Sequence, residues 1–163
     1  MIQYRTLLPN DELLLKFKFT ISRTEPDSTY RYWFTSKKFD STGFFNIEAA
    51  LIDNEIIGIS GCSQFNDTTL RIAQMHYTIP EYRPKFRDLL IRENGFIDRH
   101  IQTALSLNLD TMLIAIHAFN KKTETIVNVY EKKRKHYRHL KNLTYSGVQE
   151  IFGINQHCYE MKI

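Results

Sequence analysis

Glycine is the first shortage. The chain has six glycines in 163 residues, well below the roughly 7% of an average protein. Loops that wrap phosphate groups use glycine so that backbone N–H groups can come close to the anion. Any nucleotide-cradling loop here must be built with few of them. Cysteine is scarcer still: Cys62 and Cys158 stand far apart and fit no metal-ligand spacing. They read as free thiols of a reduced intracellular protein. No apolar run approaches the roughly 20 residues of a membrane span. The first residues, MIQYRTLLPNDELLLKF, lack the basic start and unbroken apolar stretch of a secretion signal. The expectation is a cytoplasmic protein with no membrane partner. No repeat, low-complexity tract or linker breaks the sequence, which predicts one domain spanning residues 1–163. No Ser/His/Asp, Cys/His or metal-binding constellation stands out. The charge excess is mild, a formal +4, which allows an anionic ligand without demanding nucleic acid.

What is present is a core. The chain is 42% hydrophobic and 25% charged, with eleven Phe, nine Tyr and one Trp, the composition of a globular domain rather than a disordered one. Ile2 to Leu7 fits a first strand. Pro9-Asn10-Asp11 then opens a helix capped by Asn10 or Asp11. Its apolar positions Leu14, Phe17 and Ile21 recur at spacings of three and four. Arg23 to Ser28 is polar and holds Pro26, a loop, and Tyr30 to Phe39 reads as a further helix. The strands Phe44–Ile52, Glu55–Phe65 and Thr69–Ile79 follow, separated by the turn signals Asp53-Asn54 and Asn66-Asp67, an antiparallel meander. Pro80 and Pro84 bracket the exit from the third of these.

Beyond them the pattern predicts a long helical stretch within Phe86 to Leu107, with a break signal at Asn94-Gly95. MLIAIHA, residues 112–118, is a buried strand, and Thr123 to about Arg138 a helix. A hairpin closes the chain, Val148–Phe152 and Gln156–Ile163 around Gly153-Ile154-Asn155. Mixed order of this kind indicates a layered α/β or α+β domain.

That order, with four local motifs, resembles the GCN5-related N-acetyltransferase (GNAT) superfamily. Ile79-Pro80-Glu81-Tyr82-Arg83 is similar to the family's (V/I)-x-P-E-Y-R at the end of the fourth strand. Val129-Tyr130-Glu131-Lys132 is similar to L-Y-E-K in the helix after the fifth. Asn120, just past MLIAIHAF, resembles the asparagine that ends the fifth strand, and Glu150 to Met161 resembles the last hairpin. The resemblance implies a mixed, mostly antiparallel central sheet of about six or seven strands flanked by helices, with parallel strands four and five splayed apart. It also implies an acyl-CoA-dependent N-acyltransferase, with acetyl-CoA as co-substrate and a small-molecule or peptide amine as acceptor. The alternative is a catalytically degenerate domain that keeps the fold and works by interaction. A homodimer is compatible with either.

The sequence departs from the family at the loop that should hold the cofactor's pyrophosphate. Where the family has R/Q-x-x-G-x-G/A, this chain reads Arg83-Pro84-Lys85-Phe86-Arg87-Asp88. Phe86 adds bulk, Pro84 removes a donor, and Asp88 brings negative charge to an anion site. A second register, Arg92-Glu93-Asn94-Gly95-Phe96-Ile97, supplies one glycine after an inserted segment. The spacing from Asn120 to Tyr130 is longer than the family's.

The implied cofactor-binding residues are Tyr77, Thr78 and Ile79 on the fourth strand, Arg83, Arg92, Gly95 and Asn120. Tyr130 is the candidate general acid for the leaving thiolate, because a phenol with pKa near 10 is roughly matched to a thiol. It fits equally as a packing aromatic beside Ile126 and Val127. Glu81 is the candidate base, or a solvated residue flanking a proline. His76 and His117 are further base candidates or hydrogen-bonded structural histidines. Lys132 to Lys141, KKRKHYRHLK, reads first as a solvated helix end. A grip on a CoA phosphate or acidic partner comes next, and nucleic acid last.

Overall fold

The computed structural model describes residues 1–8, 10–24, 46–86, 88–118, 123–151 and 153–163. Strand β1 (Gln3–Leu7) leads into helix α1 (Glu12–Thr24). Asp11 is the cap: its Oδ1 accepts the Leu13 N–H at 3.0 Å, and its carbonyl accepts the Leu15 N–H. Capping of this kind satisfies donors that the first turn leaves orphaned. Leu14, Phe17 and Ile21 are buried, as their spacing requires, against Ile47, Leu51 and Ile59 of the sheet. The expected helix Tyr30–Phe39, the residues Phe44 and Phe45, and most of the loop Arg23–Ser28 lie outside the described residues.

β2 (Asn46–Ile52), β3 (Glu55–Gln64) and β4 (Thr69–Thr78) form the meander. Asp53 and Asn54 both have positive φ, 50° and 63°, the two-residue turn whose twist matches its strands. At the next turn Asn66 Oδ1 accepts the Thr68 N–H at 3.0 Å. A short 3-10 turn, Pro80–Tyr82, follows β4, and helix α2 runs Phe96–Ser106. Among the described residues the helix expected within Phe86 to Leu107 begins only at Phe96. Phe86, Leu89, Leu90 and Ile91 are buried, but they reach the core from successive turns. Asn94, with φ 56°, and Gly95 start the helix rather than interrupt one.

β5 (Thr111–His117) and helix α3 (Thr123–Lys133) come next. α3 stops short of the expected Arg138. Tyr137 is extended, which sends the chain into a second 3-10 turn, Arg138–Leu140, and buries Leu140 and Leu143. The closing hairpin is β6 (Thr144–Ile151) and β7 (Ile154–Lys162). β6 begins at Thr144 rather than Val148. The turn is tighter than expected, with Ile154 and Asn155 already in β7 and Gly153 supplying φ 75°.

The seven strands of the described residues join one sheet in the order β1-β2-β3-β4-β5-β7-β6. Every pairing is antiparallel except β4 with β5. The larger core cluster holds Phe96, Ile97 and Ala104 of α2 with Leu70, Ile72 and Met112 of the sheet. Among the described residues no helix is long and apolar enough to cross a membrane.

Candidate functional site

The parallel pair does not stay paired. Its register runs from Thr69 opposite Thr111 to Ile72 opposite Ile114. β4 continues to Thr78 and β5 to His117, but β5 stays on β7 throughout, to His117 opposite Gln156. The cause lies on the other side of β4. There Ser60 of β3 faces His76 and Cys62 faces Ile72, so Ala73, Gln74 and Met75 stand opposite Gly61 alone. Surplus residues of this kind bend a strand and end its pairing. β4 therefore peels away from β5 and opens a gap.

Strand alternation then decides what faces the gap. Ile79 donates its N–H to the Ile57 carbonyl at 2.8 Å, and Tyr77 is opposite Ile59. These two residues turn their backbone groups toward β3. His76 and Thr78 are the alternate residues, so their backbone N–H groups point at the gap. Arg83 braces this end of β4, its Nε donating to the Thr78 carbonyl at 2.8 Å.

The start of α2 is built differently. Gly95 is its N-cap. The Gly95 N–H donates to the Arg92 carbonyl at 2.9 Å, the Phe96 N–H to Leu89 at 3.1 Å and the Ile97 N–H to Leu90 at 3.0 Å. Asp98 Oδ2 accepts the Asn94 N–H at 2.6 Å. A Cβ on Gly95 would lie 2.7 Å from both the Arg92 and Leu89 carbonyl oxygens. The glycine is thus required by the chain's own backbone. Asp88 pairs with Arg92 at 3.3 Å and accepts from the Tyr137 hydroxyl at 3.3 Å. His139 Nε2 lies 2.9 Å from the Ile91 carbonyl.

A diphosphate at a helix start needs N–H groups aimed outward and an absence of carboxylates. Here the first donors are used internally, and Asp98 stands in the first turn. The residues at this helix start do not fit a diphosphate. The described residues of the first register, Arg83–Phe86 and Asp88, open no helix.

Tyr130 is buried, 6% exposed. It stacks on Tyr159, with ring centroids 5.4 Å apart and planes at 26°. Burial, then Glu131 and Tyr145, push the Tyr159 hydroxyl up to about 12. Glu81 is exposed in the 3-10 turn just past β4. Thr78 is buried and Ile79 half-buried. The side chains of His76, Tyr77 and His117, and the whole of Asn120, lie outside the described residues.

Three buried polar groups escaped sequence reasoning. Arg71 lies opposite Leu113, one pair before the split. Its Nη2 donates to Gln156 Oε1 at 3.3 Å, and burial draws its guanidinium down to about 10. Ser60 and His100 meet at 2.9 Å with both residues fully buried. Glu48, 2% exposed, accepts from Arg99 and from Thr6, tying α2 to β1 and β2. A charge inside a strand's apolar alternation was the available signal for Arg71 and Glu48. Among the described residues no cluster of His, Cys, Asp or Glu could hold a metal.

No family model and no curated protein matches this sequence. Solved structures do match in fold. A GNAT family acetyltransferase from Elizabethkingia anophelis with acetyl-CoA bound superposes with a TM-score of 0.60 at 14% identity, covering 99% of this chain and 98% of that one. The PaiA N-acetyltransferase of Thermoplasma acidophilum in complex with coenzyme A gives 0.58 at 16%, covering 100% and 99%. Ard1 of Thermoplasma volcanium gives 0.59 at 11%, covering 99% and 97%. The chain has the GCN5-related N-acetyltransferase fold over its whole length.

Proposed function

We propose that this GNAT-fold chain is an N-acyltransferase that takes an acetyl group from acetyl-CoA to a small-molecule or peptide amine. The observation that supports this reading is the gap itself. A parallel pair split by a bulge leaves the His76 and Thr78 N–H groups turned away from β3, on the side where the β5 ladder has ended, and such groups suit the amides of a pantetheine arm and the thioester oxygen. A donor placed where negative charge develops on that oxygen stabilises the transition state.

In this reading the amine nitrogen bonds to the acyl carbon, and the carbon–sulfur bond breaks. The proton leaving nitrogen passes to Glu81, exposed at the mouth of the gap, or to water. The sulfur takes a proton from Tyr130. Thr78 presents its backbone to the donor's path, with Arg83 fixing the end of β4; Tyr77 and Ile79 are its neighbours on that strand, carried over from the resemblance. Arg92, Gly95 and Asn120 are the remaining positions carried over from the family motifs.

A second reading has its own observation. The helix start that does not fit a diphosphate also suits a domain that no longer binds CoA and acts by interaction. One measurement divides the two. Acetyl-CoA at a hundred times its dissociation constant should stabilise the chain by about 2.7 kcal/mol, a visible rise in melting temperature. No rise at millimolar acetyl-CoA, with no CoA co-purifying, rejects the acyltransferase in favour of the interaction domain.

A further inference from the structure

The two halves of acetyl-CoA meet unequal surfaces on this protein. The pantetheine half is a thioester with two amides, and it has the gap between β4 and β5, with backbone donors on the Thr78 side. The nucleotide half carries a diphosphate and a sugar phosphate. It would meet a helix start whose Gly95, Phe96 and Ile97 N–H groups already donate to Arg92, Leu89 and Leu90. Asp98 adds a carboxylate in that first turn, bound to the Asn94 N–H. Asp88, one segment earlier, is held in place by Arg92 and Tyr137. Three spent donors and the Asp98 carboxylate make this helix start a poor receiver for a diphosphate; Arg138 and His139 line the same recess, but Arg92 is engaged by Asp88 and His139 lies against the Ile91 carbonyl.

We infer that the acyl donor is recognised through its phosphopantetheine arm alone, with the adenosine 3′,5′-bisphosphate half contributing no binding at the start of α2. The chain would accept acyl thioesters of phosphopantetheine whether that arm belongs to CoA, stands free or is carried on a protein. This rests on the acyltransferase reading and names its donor class. The reaction balances identically for all three donors: the carbon–sulfur bond breaks, the amide forms, the amine proton is lost and a thiol is released. Lys85 sits over Phe86, with Nζ 5.2 Å from the ring centroid, and Lys133 over Tyr137 at 5.5 Å. These cations stand on the two segments that Tyr137 and Asp88 join. As exposed or part-exposed cations they would favour encounter with an acidic carrier only by weak, screened attraction.

The experiment is a calorimetric titration of the full chain at low salt with four probes: acetyl-CoA, S-acetyl-phosphopantetheine, adenosine 3′,5′-bisphosphate and an acetylated acidic carrier protein. Expected are dissociation constants for acetyl-CoA and acetyl-phosphopantetheine within about threefold of each other, and no heat from the bisphosphate at millimolar concentration. A preference for acetyl-CoA above about thirtyfold, or competition by the bisphosphate, overturns the inference while leaving the acyltransferase standing. If no thioester binds, both readings fall together. A carrier that binds more tightly than the free arm identifies a protein-borne donor, and equal affinity identifies a small one; each supports the inference. Amide exchange supplies a second reading. The Phe96 and Ile97 N–H groups should be protected in the free protein, with that protection unaltered by acetyl-CoA. Donors recruited by a phosphate would change it.

Discussion

The gap between β4 and β5 and the start of α2 lie at the two ends of one segment, residues 79–95, yet they treat the backbone in opposite ways. At the gap, three residues opposite Gly61, a surplus of two, pull a strand out of register and turn backbone groups away from β3. At the helix, Leu89, Leu90 and Arg92 fold back and use the N–H groups that a helix start ordinarily leaves free. A bulge opens a site without needing glycine. A helix start that receives an anion needs its neighbours to stay away, and here a buried segment anchored by Phe86, Leu89 and Ile91 occupies that position. One device can survive while the other is lost, because they rest on different residues.

The sharpest way to break this comparison is Gly95→Val. If the glycine serves the chain's own packing, the substitution forces a side chain against two backbone carbonyls. It should destabilise the protein without any ligand, by about 3 kcal/mol by analogy with overpacked cores. For a chain of this length that lowers the melting temperature by roughly 10 °C. A variant that melts like the parent but loses acetyl-CoA binding would instead make Gly95 part of a ligand site.

Tyr130→Phe tests the other end. It should slow turnover about 10²-fold or more if the hydroxyl protonates the thiolate. The stabilisation by acetyl-CoA should stay unchanged. Equal turnover would leave Tyr130 as a packing aromatic on Tyr159.

Cys62 reports on the bulge from within. It is fully buried opposite Ile72, the last residue of β4 paired with β5. Burial pushes its thiol from 9 to about 12. Its raised folded value means that the contribution is whole below pH 9 and declines as pH rises through 12. The expected loss is about 1.4 kcal/mol per pH unit within that window. A Cys62→Ala protein should show a correspondingly flatter alkaline melting curve. An equally steep curve, or rapid native-state labelling of Cys62 by a thiol reagent at pH 8, would mean that water reaches the bulge.

The smallest effect belongs to the basic run. Exchanging Lys132, Lys133 and Lys135 for Gln should leave nucleic-acid affinity negligible before and after. Tight binding by the native chain, with a steep dependence on salt, would give this surface a different role.

Much of this architecture was legible beforehand, and the legible parts share a cause. Leu14, Phe17 and Ile21 lie on one helical stripe, Asp53-Asn54 adopts the φ values its turn needs, and the strand alternation and motif order marked the sheet. All are local patterns whose period or turn chemistry survives in any context. Residues 86–95 were misread because Phe86, Leu89, Leu90 and Ile91 have helix-like spacing but are buried by tertiary packing of successive turns. The end of α3 was misplaced because Tyr137 leaves the helix so that Leu140 and Leu143 can enter the core. Among the site residues, the importance of Gly95 was visible but its reason was not, since that reason is the approach of two carbonyls from earlier in the chain. Arg71 and Glu48 gain their surroundings only when strands distant in sequence are brought together.

The short parallel register between Thr69–Ile72 and Thr111–Ile114 also acts as a seam. On one side lie β1 to β4, on the other β5, β7 and β6, and within each half described strands pair antiparallel along most of their length. Across the seam the backbone ladder is brief, and the chain must travel through the whole 79–110 connection to close it. Closure at that separation carries a large entropic cost before any bond rewards it. One core cluster spans both units, so the seam should open locally rather than separate the halves, its amides exchanging through a partial opening of lower free energy than global unfolding. A donor arm lodged just beyond the seam would bridge both units, so its binding would slow exchange at Ile72 and Ile114 more than at the centres of β2 or β7.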